Sequence, residues 1–368
     1  MAKGYVFAAA GTAGHIYPAV AVAEALAERG VDPAAVTFVT SRRRVEQEIF
    51  SGLPYPRLDL EAAGVSGRNP ARLALALWRL GLSTLRLRSK LAELRPAAVV
   101  VFGGYISVVG ALAARSLWLP VVVVETNSVM GRANRIVSRL AARTFRAFEH
   151  GATGSGVPLR APVLSFKPGP ATRDELVASL GFDPNGVARL VSIFGGSLGS
   201  RRINEAALRM LEQDAATGGG QGTLYFVVLG RRDEKEFAPG MARLAAEGGV
   251  KVVARGYEER LFEYLACSDA VVCRAGSNTV AELDHFGVPA VLVPLPGSPG
   301  GHQEKNAEWL ASRGAGVVLP DADCNPASLR RALEELVGKA PALPARSAGT
   351  EADSAAQIAA FLGDNFSG

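Results

Sequence analysis

Short apolar runs rich in β-branched residues alternate along this chain with longer stretches in which Ala and Leu recur at helical spacing. In the first half the runs Tyr5 to Ala10, Val36 to Thr40, Ala97 to Phe102, Val121 to Glu125 and Thr144 to Phe148 predict strands. The second half repeats the plan with Arg189 to Gly195, Thr223 to Leu229, Val250 to Arg255, Ala270 to Arg274, Ala290 to Pro294 and Gly316 to Leu319. Unbroken runs such as Val121 to Val124 lack the alternation of a half-exposed strand and suit strands covered on both faces. Each half therefore predicts a doubly wound, Rossmann-like α/β sheet. The segment Lys167-Pro168-Gly169-Pro170 stops regular structure between them. The expected domains are 1–165 and 166–345, followed by a tail over 346–368 with an amphipathic helix from about Ser354 to Phe366. Pro341 to Pro344 precede that tail. Two such sheets predict a cleft at their carboxyl ends, the expected place for a site.

Size and composition agree with this plan. The chain has 368 residues, more than the roughly 250 to 300 at which a single core stops growing. With 48% apolar and 20% charged residues, it is neither a disordered chain nor a coiled coil. Cys267, Cys273 and Cys324 match no zinc or redox spacing and point to a reducing compartment. The apolar start, Tyr5 to Ala10, is too short for a secretory signal. No apolar run reaches about 18 residues, so any membrane contact is expected to be peripheral. The net charge of +5 hides an asymmetry: residues 1–167 carry 21 Lys and Arg against 10 Asp and Glu, a net of +11, and the rest a net of −6. A basic half suits nucleic acid, anionic lipid or a phosphorylated substrate, and charge alone does not choose. The basic half lacks the aromatic stacking motifs of nucleic-acid binders, so nucleic acid is not expected as a partner.

The candidate chemistry lies in small-residue turns that follow strands. Ala10-Gly11-Thr12-Ala13-Gly14-His15 follows the first strand, with a helix expected from about Ala19, after Pro18. Its Thr12, Ala13 and Gly14 would let backbone N–H groups approach a phosphate. It is neither GxGxxG nor a P-loop. His15 has a suitable ordinary pKa of about 6.5 for a general base. Similar turns are Gly103-Gly104-Tyr105-Ile106-Ser107 and Gly195-Gly196-Ser197-Leu198-Gly199-Ser200. Ser277, Asn278 and Thr279 open another helix, on which Glu282 could take both hydroxyls of a ribose. Gln303 and Asn306 follow a flexible Pro/Gly loop and suit sugar hydroxyls.

Taken together, Gly11-Thr12-x-Gly14-His15, Gly103-Gly104-Tyr105-x-Ser107, Glu125-x-Asn127-x-x-x-Gly131-x-x-Asn134, Gly195-Gly196-Ser197-x-Gly199-x-x-x-x-Asn204, Gly276-x-x-Thr279-Val280-x-Glu282 and His302-Gln303-x-x-Asn306 resemble the MurG family. The resemblance implies a GT-B fold and an inverting transfer of N-acetylglucosamine from UDP-N-acetylglucosamine to lipid I, a polyprenyl-pyrophosphate-linked acceptor, in peptidoglycan synthesis. It implies donor contacts from Thr12, Ala13, Gly14, Asn127, Arg160, Ser197, Tyr257, Ser277, Asn278, Thr279, Glu282 and Gln303. The acceptor would meet Gly104, Tyr105, Ser107 and Asn134, with His15 as base and Glu125 as its rival. The chain departs from the family pattern at Ala10, Ala13, Val109, Thr126 and Leu198. No cofactor or metal is expected. Asp321-Ala322-Asp323 has a DxD form but reads as a turn after the last strand. A transferase with another lipid acceptor, a nucleotide-sugar 2-epimerase and a non-catalytic nucleotide-sugar scaffold are the competing readings.

One segment points to a membrane. From Asn69 to Arg95 a helix or broken helix carries dense Leu, Trp78 and the bases Arg72, Arg79, Arg86, Arg88, Lys90 and Arg95, with Glu93 its one acid. Trp118 lies in a second apolar stretch. Bases beside Trp and Leu suit anionic headgroups, so a peripheral membrane face is expected here. The MurG resemblance implies such a face too, on the cytoplasmic side of the cell membrane, where that family's acceptor is held.

Overall fold

A computed structural model describes residues 4–41, 43–60, 70–148, 156–338 and 353–366, without the side chains at 45, 70–73, 337 and 338. The expected breaks at 341–344 and 345/346 lie outside these residues. The chain divides into two units, one running to Leu164 and including the final helix, the other beginning at Ser165.

The first unit holds β1 (Tyr5–Ala8), α1 (Ala13–Glu28), β2 (Val36–Thr40), α2 (Arg44–Phe50), β3 (Arg57–Asp59), α3 (Pro70–Leu94), β4 (Ala98–Val101), α4 (Gly104–Arg115), β5 (Val121–Glu125), α5 (Arg132–Val137), β6 (Arg143–Arg146) and α6 (Ala161–Ser165). Its sheet is entirely parallel with the order β3-β2-β1-β4-β5-β6. The continuous apolar strands divide by parity. Tyr5, Phe7, Phe38, Val100, Phe102 and Val122 face one layer, whereas Val6, Ala8, Val39, Val99, Val101 and Val123 face the other. On the first face Phe38 packs edge-on to Phe7 and Phe50, with ring centroids 5.5 and 5.0 Å apart. The edge strand β3 has no signal in the sequence pattern because it is three residues long with only one apolar side chain.

The second unit contains α7 (Pro170–Ser179), β7 (Arg189–Phe194), α8 (Arg201–Thr217), β8 (Thr223–Val228), α9 (Glu234–Glu247), β9 (Lys251–Arg255), α10 (Leu261–Ala266), β10 (Ala270–Cys273), α11 (Ser277–Phe286), β11 (Ala290–Leu292), α12 (His302–Ser312), β12 (Gly316–Val318) and α13 (Pro326–Gly338). Its parallel order, β12-β11-β10-β7-β8-β9, is the same winding as in the first unit. The last helix, α14 (Ser354–Phe366), returns to the first unit and lies against α1. There Ala355, Ile358, Ala359 and Leu362 are buried, and the Tyr5 hydroxyl donates to the Leu362 carbonyl at 3.2 Å.

Candidate active site

In the first sheet the winding reverses between β1 and β4, which opens a crevice beyond their carboxyl ends. After β1 the chain turns at Gly11, with φ 102°, and Thr12, in extended conformation, caps α1. The Thr12 carbonyl accepts the N–H of His15 at 3.1 Å and of Ile16 at 3.3 Å. The helix therefore starts at Ala13, six residues before the expected position, and Pro18 lies inside it. His15 stands in the first helical turn. Its Nδ1 is 3.5 Å from Thr12 Oγ1. Its Nε2 faces Gly103 so closely that a Cβ there would come within 2.8 Å. Gly103 also has φ 121°, so backbone and imidazole both require glycine. Two turns far apart in sequence thus form one surface.

Ser107 shapes that surface from beneath. Expected on the acceptor, it is instead fully buried, its hydroxyl accepting the Gly103 N–H at 2.7 Å and donating to the Gly103 carbonyl at 2.8 Å. Gly104 opens α4, and the next residue, Tyr105, has a hydroxyl enclosed without a hydrogen-bond partner among the described residues. Burial pushes its pKa up, against a smaller pull from Arg79.

Glu125 is also committed to structure. One carboxylate oxygen accepts the Asn127 N–H at 3.0 Å and its side-chain amide at 3.2 Å. The other accepts the Gly131 N–H at 2.9 Å and the Asn134 amide at 3.0 Å. A general base needs a lone pair turned toward its substrate. Both oxygens of this buried acid accept from its own loop, so Glu125, the expected rival base, clamps residues 126–134. Asn127 and Asn134 are held by it, Asn134 being buried.

Arg160 stacks on Tyr17, its guanidinium carbon 4.2 Å from the ring centroid. The following N–H, of Ala161, donates to Glu24 at 2.9 Å. Burial raises the Glu24 pKa, while the Ala161 N–H and the Arg160 charge pull it back. Two residues of α1 thus hold the segment carrying Arg160.

In the second unit the corresponding crevice lies beyond β7 and β10. The turn after β7 folds onto itself, because a side chain at Gly195 would strike Ser200. It leaves Ser197 exposed ahead of α8. The turn after β8 interlocks with it: side chains at Gly199 or Gly230 would collide with the opposite strand of backbone. The Arg231 N–H donates to the Ser197 carbonyl at 3.3 Å, and the Arg231 guanidinium lies 4.2 Å over the Tyr257 ring. Ser277, Asn278 and Thr279 form the first turn of α11, and Glu282 follows on the same helix, half-buried. Gln303, on α12, accepts the Leu295 N–H at 2.9 Å, so its amide nitrogen is the end left to meet a ligand. Arg274 donates to the carbonyls of Val293 and Pro294 at 3.1 and 3.0 Å and pairs with Asp321 at 2.6 Å. The DxD-like sequence is accordingly a short turn bonded to Arg274.

Comparison with known proteins agrees with this architecture. Residues 5–146 match the glycosyltransferase family 28 N-terminal domain and residues 190–361 the family 28 C-terminal domain. The UDP-N-acetylglucosamine–N-acetylmuramyl-(pentapeptide) pyrophosphoryl-undecaprenol N-acetylglucosamine transferase of Methylococcus capsulatus is 33% identical over 354 residues, 95% of this chain and 93% of that one. The enzyme of the same name from Desulforudis audaxviator is 35% identical over 346 residues, 90% and 89% of the two chains. The crystal structure of Acinetobacter baumannii MurG aligns with a TM-score of 0.74 at 26% identity, covering 98% of this chain and 99% of that one. The chain belongs to the MurG family.

This MurG-family glycosyltransferase has the GT-B architecture. Sequence reasoning missed Glu46, a wholly buried acid bonded to Gly11, and the interlock of Gly199 with Gly230. The available signal for Glu46 was an acid in the first turn of a short helix following β2. Among the described residues no group of three or more His, Cys, Asp or Glu is placed to hold a metal ion.

The face expected to meet a membrane is exposed. Helix α3 runs unbroken through Gly81. It buries Ala76, Ser83, Leu87 and Leu91, and leaves Leu77 55%, Trp78 66% and Leu85 61% accessible. Arg79, Arg86, Arg88 and Lys90 are exposed on the same helix, whereas the side chain of Arg72 lies outside the described residues. Trp118, at φ 58°, is 85% accessible. No described helix is long and apolar enough to cross a membrane.

Proposed function

We propose that this glycosyltransferase moves N-acetylglucosamine from UDP-N-acetylglucosamine onto a polyprenyl-pyrophosphate-linked N-acetylmuramyl-pentapeptide, the acceptor class named for its relatives, in peptidoglycan synthesis. The observation that carries the reading is His15, set in the first turn of α1 against the Gly103 turn. The acceptor hydroxyl attacks the anomeric carbon and His15 takes its proton. The bond to UDP breaks on the opposite face, inverting the centre. Ser197, the starts of α8 and α11, and Arg160 stabilise the departing diphosphate, so no metal ion is required. Tyr257 stacks on the base, Glu282 binds the ribose, and Gln303 and Asn127 meet the sugar. Gly104, Tyr105 and Asn134 line the acceptor side.

The exposed Leu, Trp and Arg side chains of α3, with Trp118, hold the first unit peripherally against anionic lipid on the cytoplasmic face, where a lipid-linked acceptor is presented. The test is UDP release with lipid I as acceptor, compared across UDP-N-acetylglucosamine, UDP-glucose and UDP-N-acetylgalactosamine. Turnover that needs both lipid I and the N-acetylglucosamine donor supports the reading. Conversion of donor without acceptor would replace it with an epimerase, and binding without UDP release with a scaffold.

A further inference from the structure

Among the described residues Glu46 is the one wholly buried acid of the first unit that the reaction described above does not use. It lies in the first turn of α2 and reaches the turns that leave both β1 and β2. One oxygen accepts the Gly11 N–H at 2.7 Å and the Ser41 hydroxyl at 2.5 Å, and the other accepts the Ser41 N–H at 2.5 Å. The Gly11 N–H therefore points inward to a carboxylate, not outward to a phosphate. An anion drawn to this turn meets the residues after Gly11. Gly11 itself, at φ 102°, is the pivot from which Thr12 and His15 are carried into α1.

We propose that Glu46 is a positioning residue for the transfer reaction: by holding Gly11 it fixes the turn between β1 and α1, and so keeps His15 against Gly103. The inference rests on His15 being the base. A carboxylate suits this task because it accepts from three donors at once, and charged acceptors make the stronger hydrogen bonds. A glutamine cannot replace it fully. Whichever way its amide is turned, its NH2 faces either the Gly11 or the Ser41 backbone N–H. Small displacements of a catalytic group change rate far more than substrate affinity.

The experiment compares Glu46→Gln, Ser41→Ala, His15→Ala and the Glu46→Gln/His15→Ala double variant by kcat, KM and calorimetric UDP affinity, each assayed well below its own unfolding temperature. Glu46→Gln is expected to lower kcat by about tenfold or more while KM for the donor and UDP affinity stay within about twofold. Ser41→Ala, which leaves the Gly11 bond in place, should retain kcat within about threefold. The double variant should be no slower than His15→Ala alone, because both changes remove the same contribution. A kcat near the parent value for Glu46→Gln, an equal loss of UDP affinity, or multiplied losses in the double variant would overturn the proposal. Full activity of His15→Ala would instead overturn the assignment of the base, independently of Glu46.

Discussion

Replacing Glu125 by glutamine separates a structural clamp from a general base. In the Glu125→Gln variant the new amide nitrogen must occupy one of the two oxygen positions. In the first it faces the Asn127 N–H and side-chain amide; in the second it faces the Gly131 N–H and the Asn134 amide. Either asparagine side chain can turn over and present its oxygen, but a backbone N–H cannot. Each arrangement therefore leaves one backbone donor against an NH2. Losing a hydrogen bond to a charged acceptor costs about 1.5–3 kcal/mol. For a unit of this size that corresponds to a fall of roughly 3–12 °C in unfolding temperature. Thermal unfolding followed by circular dichroism, with UDP affinity measured alongside, is the assay. The clamp reading expects a less stable protein whose UDP affinity is unchanged and whose acceptor KM rises. An equally stable variant with turnover abolished at every pH would refute it and return Glu125 to the role of base.

Glu282→Ala should weaken UDP binding by about 1–3 kcal/mol, read by calorimetric titration; unchanged affinity would remove Glu282 from the donor site. Turnover should survive EDTA undiminished, and its loss with recovery on adding Mg²⁺ would contradict the metal-free mechanism. Cosedimentation with anionic liposomes should weaken with salt and with Trp78→Ala plus Arg79→Glu, each base near the surface adding on the order of 1 kcal/mol; equal binding to neutral vesicles would argue against the proposed face. Glu24→Gln keeps an oxygen for the Ala161 N–H and removes a charge that burial disfavours. Because the folded pKa of Glu24 is raised, the cost of its charge is absent below the ordinary carboxylate range and develops as pH rises through and above it. The variant should match the parent in acid and exceed it in stability at neutral pH, as measured by denaturant melts; a less stable variant at neutral pH would contradict this.

Much of the fold is legible because the central strands are continuous Val, Ala and Phe runs, and such runs suit burial on both faces of a parallel sheet. Eleven expected strands correspond to strands in the structure, with ends shifted by a residue or two, and β3 alone lacks a pattern that would reveal it. The site is legible as a set of turns but not as a surface. Sequence spacing cannot show that His15 abuts Gly103, since that contact depends on β1 and β4 being neighbours. Nor does it show whether a polar side chain is aimed at a ligand or turned to its own loop, which is why Ser107 and Glu125 look functional in the sequence and are bonded to their own loops in the fold. Helix α1 begins earlier than its sequence suggests because Pro18, which lacks an N–H, resembles a boundary. Pro18 instead lies in the second turn, where the helix continues without the bond that an N–H there would give to the Gly14 carbonyl.

The return of α14 to the first unit gives the chain a particular order of assembly. Four buried side chains of that helix belong to a core whose other members were synthesised more than 200 residues earlier. While the polypeptide emerges from the ribosome, all of the second unit is available to fold before the first can close over α1. An incomplete chain exposes the apolar surface that Ile358 and Leu362 would cover. A product terminated before α14, even one with every proposed catalytic and donor residue present, would carry an open hydrophobic seam and be a target for quality control.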